Sequence, residues 1–412
     1  MKETAIIGID GVPYRLMEEY SDEGVMPNFR ELREEGYFSK MNSSIPPISS
    51  ISWSSMITGK NPGEHGVYGF TELIPGSYNM SFPDFRSLDS PTYWQMHDDK
   101  RSIVINVPTT YPAQKLNGFH VSGFVSPNLE KAVYPKEELS YLEEIGYKVD
   151  VDSEKAHKSL RLFLDDLFDT LEKRIELYRG MWEREWDIFT LVFTGSDRLG
   201  HFMWNAFKNK DHEHHQRFKE YFRKVDEIIG EIAERHNGQL AILSDHGMEQ
   251  IQTNVYLNKF LQKQGFLDLN EDKERYKQIT QETTAFAMDP GRIYLHKQNK
   301  YPNGSVKPKE EEKIIKELKK AFKNFKYEGR NVVKEIYRRN QIYSGSNFED
   351  APDLVILPNK GLRFRGKIEA QEVFEEDVFS GKHTYEDSFL YLKNTHQVPN
   401  NKPSIEDVLS YL

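Results

Sequence analysis

Hydrophobic residues in this chain fall into short unbroken runs separated by long amphipathic stretches. Residues 5–8 form an apolar run closed by Ile9-Asp10-Gly11, and Pro27-Asn28-Phe29-Arg30-Glu31-Leu32 opens a helical pattern ending near Gly36. Similar runs recur at 102–107, 188–193, 240–243 and 354–357, each followed by polar or glycine-containing turns. Runs of this length, without polar alternation, predict strands buried on both faces. Between them, apolar residues at helical spacing predict long helices over 160–185 and 216–236, the second ending at Asn237-Gly238 as a C-cap would. Strands alternating with helices predict an α/β fold whose mostly parallel sheet is covered on both sides.

Two stretches break this rhythm. Residues 254–341 are lysine-rich and carry an amphipathic helix that opens at Lys307-Pro-Lys-Glu-Glu-Glu-Lys313 and runs to about Lys323. They are expected to form an insertion or cap on a catalytic core made of 1–253 and 342–412. Residues 76–147, rich in Pro, Ser and Tyr, are expected to supply further loops over a site. No internal repeat interrupts the pattern.

The composition narrows the function classes. Of 412 residues, 37% are hydrophobic and 13% aromatic, enough for a substantial core. The 55 basic against 65 acidic residues give a formal charge of −10, which argues against a nucleic-acid polymer or an anionic membrane as the main partner. With no cysteine, any metal must be held by nitrogen and oxygen ligands. The N-terminal residues Met1-Lys2-Glu3-Thr4 run straight into the first apolar stretch without a signal-peptide pattern, so a cytoplasmic protein is expected. No stretch approaches the ~20 apolar residues of a spanning helix.

Three carboxylates and three imidazoles stand at strand ends or in loops with spacings that suit two neighbouring divalent ions: Asp10, Asp197-x3-His201, Asp245-His246 and His383. Four residues apart, Asp197 and His201 share a face if a helical turn follows the 188–193 strand. Asp245 and His246 close the 240–243 strand, where ligands collect in a parallel sheet. Asp211-His-Glu-His-His215 also looks metal-like, but reads as the solvated start of a helix.

The run Pro46-Pro-Ile-Ser-Ser-Ile-Ser-Trp-Ser-Ser-Met-Ile-Thr-Gly-Lys-Asn-Pro-Gly-Glu-His-Gly66 resembles the nucleophile segment of the type I phosphodiesterase/nucleotide pyrophosphatase family of the alkaline phosphatase superfamily. Ile6-Ile-Gly-Ile-Asp-Gly11, Phe193-Thr-Gly-Ser-Asp-Arg-Leu-Gly-His201, Leu243-Ser-Asp-His-Gly247 and Ser380-Gly-Lys-His383 follow in the family's order. The resemblance implies an alkaline-phosphatase-like three-layer αβα sandwich. It also implies Asp10, Asp245 and His246 on one ion, Asp197, His201 and His383 on the other, and Ser49 as nucleophile and ligand of the first. Ser50, Ser52, Ser54 and Ser55 are its neighbouring alternatives.

The physical case runs beside the family case. A serine hydroxyl is a poor nucleophile at neutral pH, and coordination to a cation is one of the few ways to activate it without a paired base. Ions roughly 4 Å apart would also offset charge on the phosphoryl oxygens. Mixed Asp and His ligands suit zinc, with manganese or iron next. The expected activity is hydrolysis of small-molecule phosphodiester or pyrophosphate bonds, including those of nucleotides, through a phosphoserine intermediate. The same superfamily holds phosphomonoesterases, phosphonate hydrolases and phosphomutases, and a catalytically silent binding protein is the alternative from another class.

One departure bears on substrate. Members of the family commonly place an Asn after the His-Gly element, whereas His65-Gly-Val-Tyr-Gly-Phe70 puts Phe70 there, which weakens transfer of nucleotide specificity. Phe70, Tyr68 and Trp53 are read as core aromatics before base-stacking ones, and His65 as a turn residue.

Overall fold

The computed structural model describes residues 3–376 and 378–412. Met1-Lys2, included in the N-terminal reading above, lie outside the described residues. The chain divides into two compact units, one of Met1–Lys60, Asp84–Gln250 and Val378–Leu412, the other of Asn61–Pro83 and Ile251–Asp377. The second contains the expected 254–341 insertion and reaches beyond it on both sides.

The first unit is built on an eight-stranded sheet in the order Tyr37–Met41, Ser388–Lys393, Gln239–Leu243, Thr4–Ile9, Ile188–Phe193, Ser102–Val107, Gly118–Ser122, Val133–Tyr134. The five strands from Gln239–Leu243 to Gly118–Ser122 are parallel, and antiparallel strands close both edges. Side chains alternate between two cores. Ala5, Ile7, Ile9, Phe189, Leu191 and Phe193 enter one, and Ile6, Ile188 and Val192 enter the other. The first core is roofed by the helices Tyr14–Asp22, Pro27–Glu35, Leu160–Trp182, Gly195–Lys208 and His215–Arg235, the second by Ser49–Thr58 and the C-terminal turn Ile405–Tyr411. This is the αβα sandwich the sequence predicts.

Helices Leu160–Trp182 and His215–Arg235 run parallel, as a constant register shows: Asp165 pairs with Arg217, Glu172 with Lys224, Arg179 with Glu231 and Glu183 with Arg235. Such exposed pairs contribute little stability each. The buried Arg174 on the first helix does more for the site, donating from Nη1 to Val192 O at 3.3 Å and Thr194 Oγ1 at 3.0 Å. It thereby fixes the turn between the Ile188–Phe193 strand and the helix after it.

Several expectations need correction. The apolar run at 354–357 is a strand, Leu354–Pro358, but it belongs to the second unit, paired antiparallel with Arg292–Leu295 and Val333–Arg338. A short run buried on both faces does not specify its partners. Residues 76–147 supply three strands of the main sheet as well as loops. The second long helix ends at Arg235 with His236 extended, so Asn237-Gly238 does not cap it. Gly238 instead permits a close approach, since a Cβ there would lie 2.1 Å from Glu3 O.

In the second unit, a four-stranded antiparallel sheet packs with the helix Glu311–Asn324, which buries Ile314, Ile315, Leu318 and Phe322. Among the described residues, no helix is long and apolar enough to cross a membrane.

Candidate active site

Every sequence-predicted site residue lies in the first unit. Asp10 follows the Thr4–Ile9 strand, and Asp245-His246 follow the neighbouring Gln239–Leu243 strand. Asp197 and His201 sit one turn apart on Gly195–Lys208, with Asp197 Oδ1 3.4 Å from His201 Nε2. His383 lies on Gly381–Thr384, which pairs antiparallel with Gly247–Gln250 and sets His383 opposite Met248. Ser49 is the first residue of the helix Ser49–Thr58.

Close backbone approach makes this convergence possible. A Cβ on Gly381 would lie 2.2 Å from Gly200 O, so the helix and the strand carrying His201 and His383 meet at backbone distance. Gly11 adopts φ +71°, in the left-handed region that glycine tolerates, and a Cβ there would come within 2.9 Å of Asp197 Cα.

The donor atoms form two overlapping clusters. Asp197, His201 and His383 offer one set of mutually close ligand atoms, and Asp10, Asp197 and His246 another. Asp245 Oδ2 joins the second at 3.3 Å from His246 Nε2. Ser49 Oγ lies 3.1 Å from His246 Nε2 and 3.3 Å from Asp10 Oδ1. Two of its neighbours are engaged elsewhere, Ser52 Oγ with Ser43 and Ser44 and Ser54 Oγ donating to Ser50 O, while Ser50 Oγ is buried without a hydrogen bond.

The orientation of these groups tests whether they fit metal ions. All three imidazoles place Nδ1 against a backbone carbonyl: His201 against Gly381 at 2.9 Å, His246 against Gly247 at 3.0 Å and His383 against Pro47 at 3.1 Å. A carbonyl accepts only, so each Nδ1 carries the proton and each Nε2 of a neutral ring presents a lone pair inward. His383 Nε2 and His201 Nε2 face one another at 2.8 Å. Two lone pairs so placed repel unless a proton or a cation lies between them.

The carboxylates follow a matching rule. Asp10 Oδ2 accepts from Trp53 Nε1 at 2.9 Å and Asp245 Oδ1 from the Gly11 N–H at 3.0 Å, while Asp245 Oδ2 and Asp197 Oδ1 are buried without a hydrogen bond. Burial, reinforced by Asp245 and Asp197, holds Asp10 well above the usual carboxylate range. Burial likewise pushes Asp245 up to about 7. At Asp197 burial is outweighed by His201, His383 and His246, which hold it well below that range. Burial and then His246 push His383 down to about 3. Three buried carboxylates and three imidazoles whose Nε2 atoms face them form a donor set that a divalent cation would complete.

Sequence reasoning missed the supporting shell. Trp53, read as core, is fully buried and also holds Asp10. Tyr68 is likewise buried, its hydroxyl donating to Asn347 O at 2.6 Å. His65 is a buried turn residue that accepts the Val67 N–H, its pKa pushed down to about 3 by burial. His215 of the metal-like run is buried against Ala206 O, and that run forms no metal cluster among the described residues.

Comparison with known proteins places this geometry in context. A phosphonoacetate hydrolase from Sinorhizobium meliloti 1021, solved with phosphonoacetate, is similar at a TM-score of 0.66 and 16% identity, over 100% of this chain and 94% of that one. Murine ectonucleotide pyrophosphatase/phosphodiesterase 5 is similar at a TM-score of 0.57 and 13% identity, over 99% and 93% of the two chains. The human protein of that name gives 0.54 and 12%, over 95% and 87%. At these identities the likeness is one of fold. No curated protein matches the chain in sequence. Residues 4–386 match the family described as type I phosphodiesterase / nucleotide pyrophosphatase. The chain belongs to that family of phosphoester hydrolases.

Proposed function

We propose that this protein hydrolyses phosphodiester or phosphoanhydride bonds of small molecules at two divalent metal ions, with Ser49 as nucleophile. Asp10, Asp245, His246 and the Ser49 hydroxyl would hold the first ion, and Asp197, His201 and His383 the second. The observation that carries the reading is the common orientation of the three imidazoles, each with Nδ1 on a carbonyl and Nε2 directed at the carboxylates. Donors of nitrogen and oxygen with three imidazoles favour zinc, then manganese or iron.

Bound there, the ions would supply Lewis-acid polarisation and lower the pKa of a coordinated hydroxyl or water. Ser49 Oγ, which lies beside Asp10 and His246, would attack phosphorus. The bond from phosphorus to the leaving oxygen breaks as the Ser49 ester forms, and water then hydrolyses that ester and restores the hydroxyl. Trp53 and Gly11 keep Asp10 and Asp245 aimed by holding one oxygen of each.

The leaving group is the open variable. The Sinorhizobium meliloti relative holds phosphonoacetate, and an inactive variant of the murine relative holds AMP. Turnover of bis-p-nitrophenyl phosphate, p-nitrophenyl phosphate and phosphonoacetate by zinc-loaded protein tests the choice. The diester should be cleaved fastest. Faster cleavage of the monoester or the phosphonate would move the assignment to the corresponding alternative, and no turnover by protein with both ions bound would favour a binding role.

A further inference from the structure

We infer that Arg198 is a positioning residue for the second ion, acting through Asp197 and locked in place by Asp150. This rests on the reading of Asp197, His201 and His383 as ligands. Asp197 turns Oδ1 toward His201 and His383, whose Nε2 atoms lie 3.4 and 3.2 Å away. Its other oxygen, Oδ2, faces Arg198 Nη1 at 3.6 Å.

The guanidinium is fixed from behind. Nε and Nη2 both donate to Asp150 Oδ2, at 3.0 and 2.7 Å, and the Phe124 ring lies against its face at 4.2 Å. The side chains of Arg198, Asp150 and Asp197 are only 18%, 14% and 8% exposed, so the chain of charges is little screened by solvent.

Arg198 completes a rule the other two carboxylates already obey. Trp53 holds the outer oxygen of Asp10 and the Gly11 N–H that of Asp245, leaving one oxygen of each for the ion. At Asp197 the outer oxygen meets a guanidinium. A bare cation there would repel the metal, but Asp150 neutralises it, so Arg198 orients the carboxylate without adding net positive charge. Outer-shell partners of this kind typically change metal affinity about 10- to 100-fold when removed.

The test is a titration of metal-depleted protein with zinc against a competing chromophoric chelator, giving ions per chain and both dissociation constants, with thermal unfolding of each metal-free variant as the control for folding. Wild type should bind two ions. Arg198→Gln should weaken one site 10- to 100-fold and leave the other within about twofold. Arg198→Lys, which keeps charge without the fork, should fall between, and Asp150→Asn should weaken the same site. In a His201→Ala background, which retains only the first site, Arg198→Gln should add nothing. Unchanged constants in Arg198→Gln, equal weakening of both sites, or a further loss in the His201→Ala background would overturn the positioning role while leaving the ligand reading standing. A wild type that binds fewer than two ions would overturn the ligand reading, and the role of Arg198 with it.

Discussion

Replacing Trp53 with Phe removes the indole N–H that Asp10 Oδ2 accepts at 2.9 Å, in a position with no solvent exposure. Two consequences separate by metal state. Loss of packing is common to both states, since the indole is pressed against the central strand so closely that a Cβ on Gly8 would lie 2.3 Å from its Cη2. The smaller ring leaves a partial cavity worth about 1–2 kcal/mol, less than the 3–5 of truncation to Ala. The hydrogen bond, by contrast, depends on charge. In metal-free protein, burial and the neighbouring carboxylates favour a protonated Asp10, and a neutral bond contributes about 0.5–1.5 kcal/mol. With an ion bound, Asp10 is a carboxylate and the same bond contributes about 1.5–3 kcal/mol. The difference, about 1–2 kcal/mol, appears as a loss of roughly 5- to 30-fold in affinity for the first ion. Urea unfolding of metal-free and zinc-loaded wild type and Trp53→Phe measures both terms. Equal destabilisation in the two states would refute a role for Trp53 in aiming Asp10 and leave it as packing alone.

Other outcomes follow from the same structure. Ser49→Ala should lose turnover of bis-p-nitrophenyl phosphate at least 1,000-fold, as roughly expected for loss of a nucleophile, while metal analysis still finds two ions; an active variant would reassign the nucleophile. Exhaustive treatment with EDTA should inactivate the enzyme, with zinc or manganese restoring activity, and full turnover by metal-free protein would reject metal dependence. Gly8→Ala should destabilise by about 1–3 kcal/mol through overpacking against Trp53, read by urea unfolding. His120 is fully buried and its pKa is pushed by burial from 6.5 to about 4. The unfolded chain therefore takes up a proton near 6.5 that the folded one refuses until about 4, so this contribution is intact above 6.5 and is lost as pH falls toward 4. The loss amounts to about 3 kcal/mol, and His120→Gln, which does not titrate, should flatten the stability profile over that window. Matching wild-type and variant slopes would show that His120 is not buried neutral.

What the chain discloses before folding depends on how local each feature is. The parallel strands at 5–8, 102–107, 188–193 and 240–243 are legible because burial on both faces leaves a run with no polar alternation. Asp197 and His201 are legible because helical periodicity alone places them together. His383 is legible only as one of the set of six carboxylates and imidazoles, because its approach depends on pairing with a strand more than 130 residues earlier in the chain. Tyr37–Met41 pairs with Ser388–Lys393 at the sheet edge across a still longer separation, and Ser39 and Lys40 interrupt any apolar run. The holders of the carboxylates were hidden for a different reason. Trp53 has the signature of a core residue and is one, and nothing in its neighbourhood marks the single N–H that meets Asp10. The pair of Asp150 with Arg198, which follows Asp197 directly, likewise joins residues that meet only on folding.

Anomalous diffraction from crystals of zinc-loaded protein, collected across the zinc absorption edge, addresses the two-ion site without reference to any substrate. The expected map has two peaks, one bounded by Asp10, Ser49, Asp245 and His246 and one by Asp197, His201 and His383. A single peak, or peaks away from these side chains at full zinc loading, would contradict two-ion chemistry at Ser49.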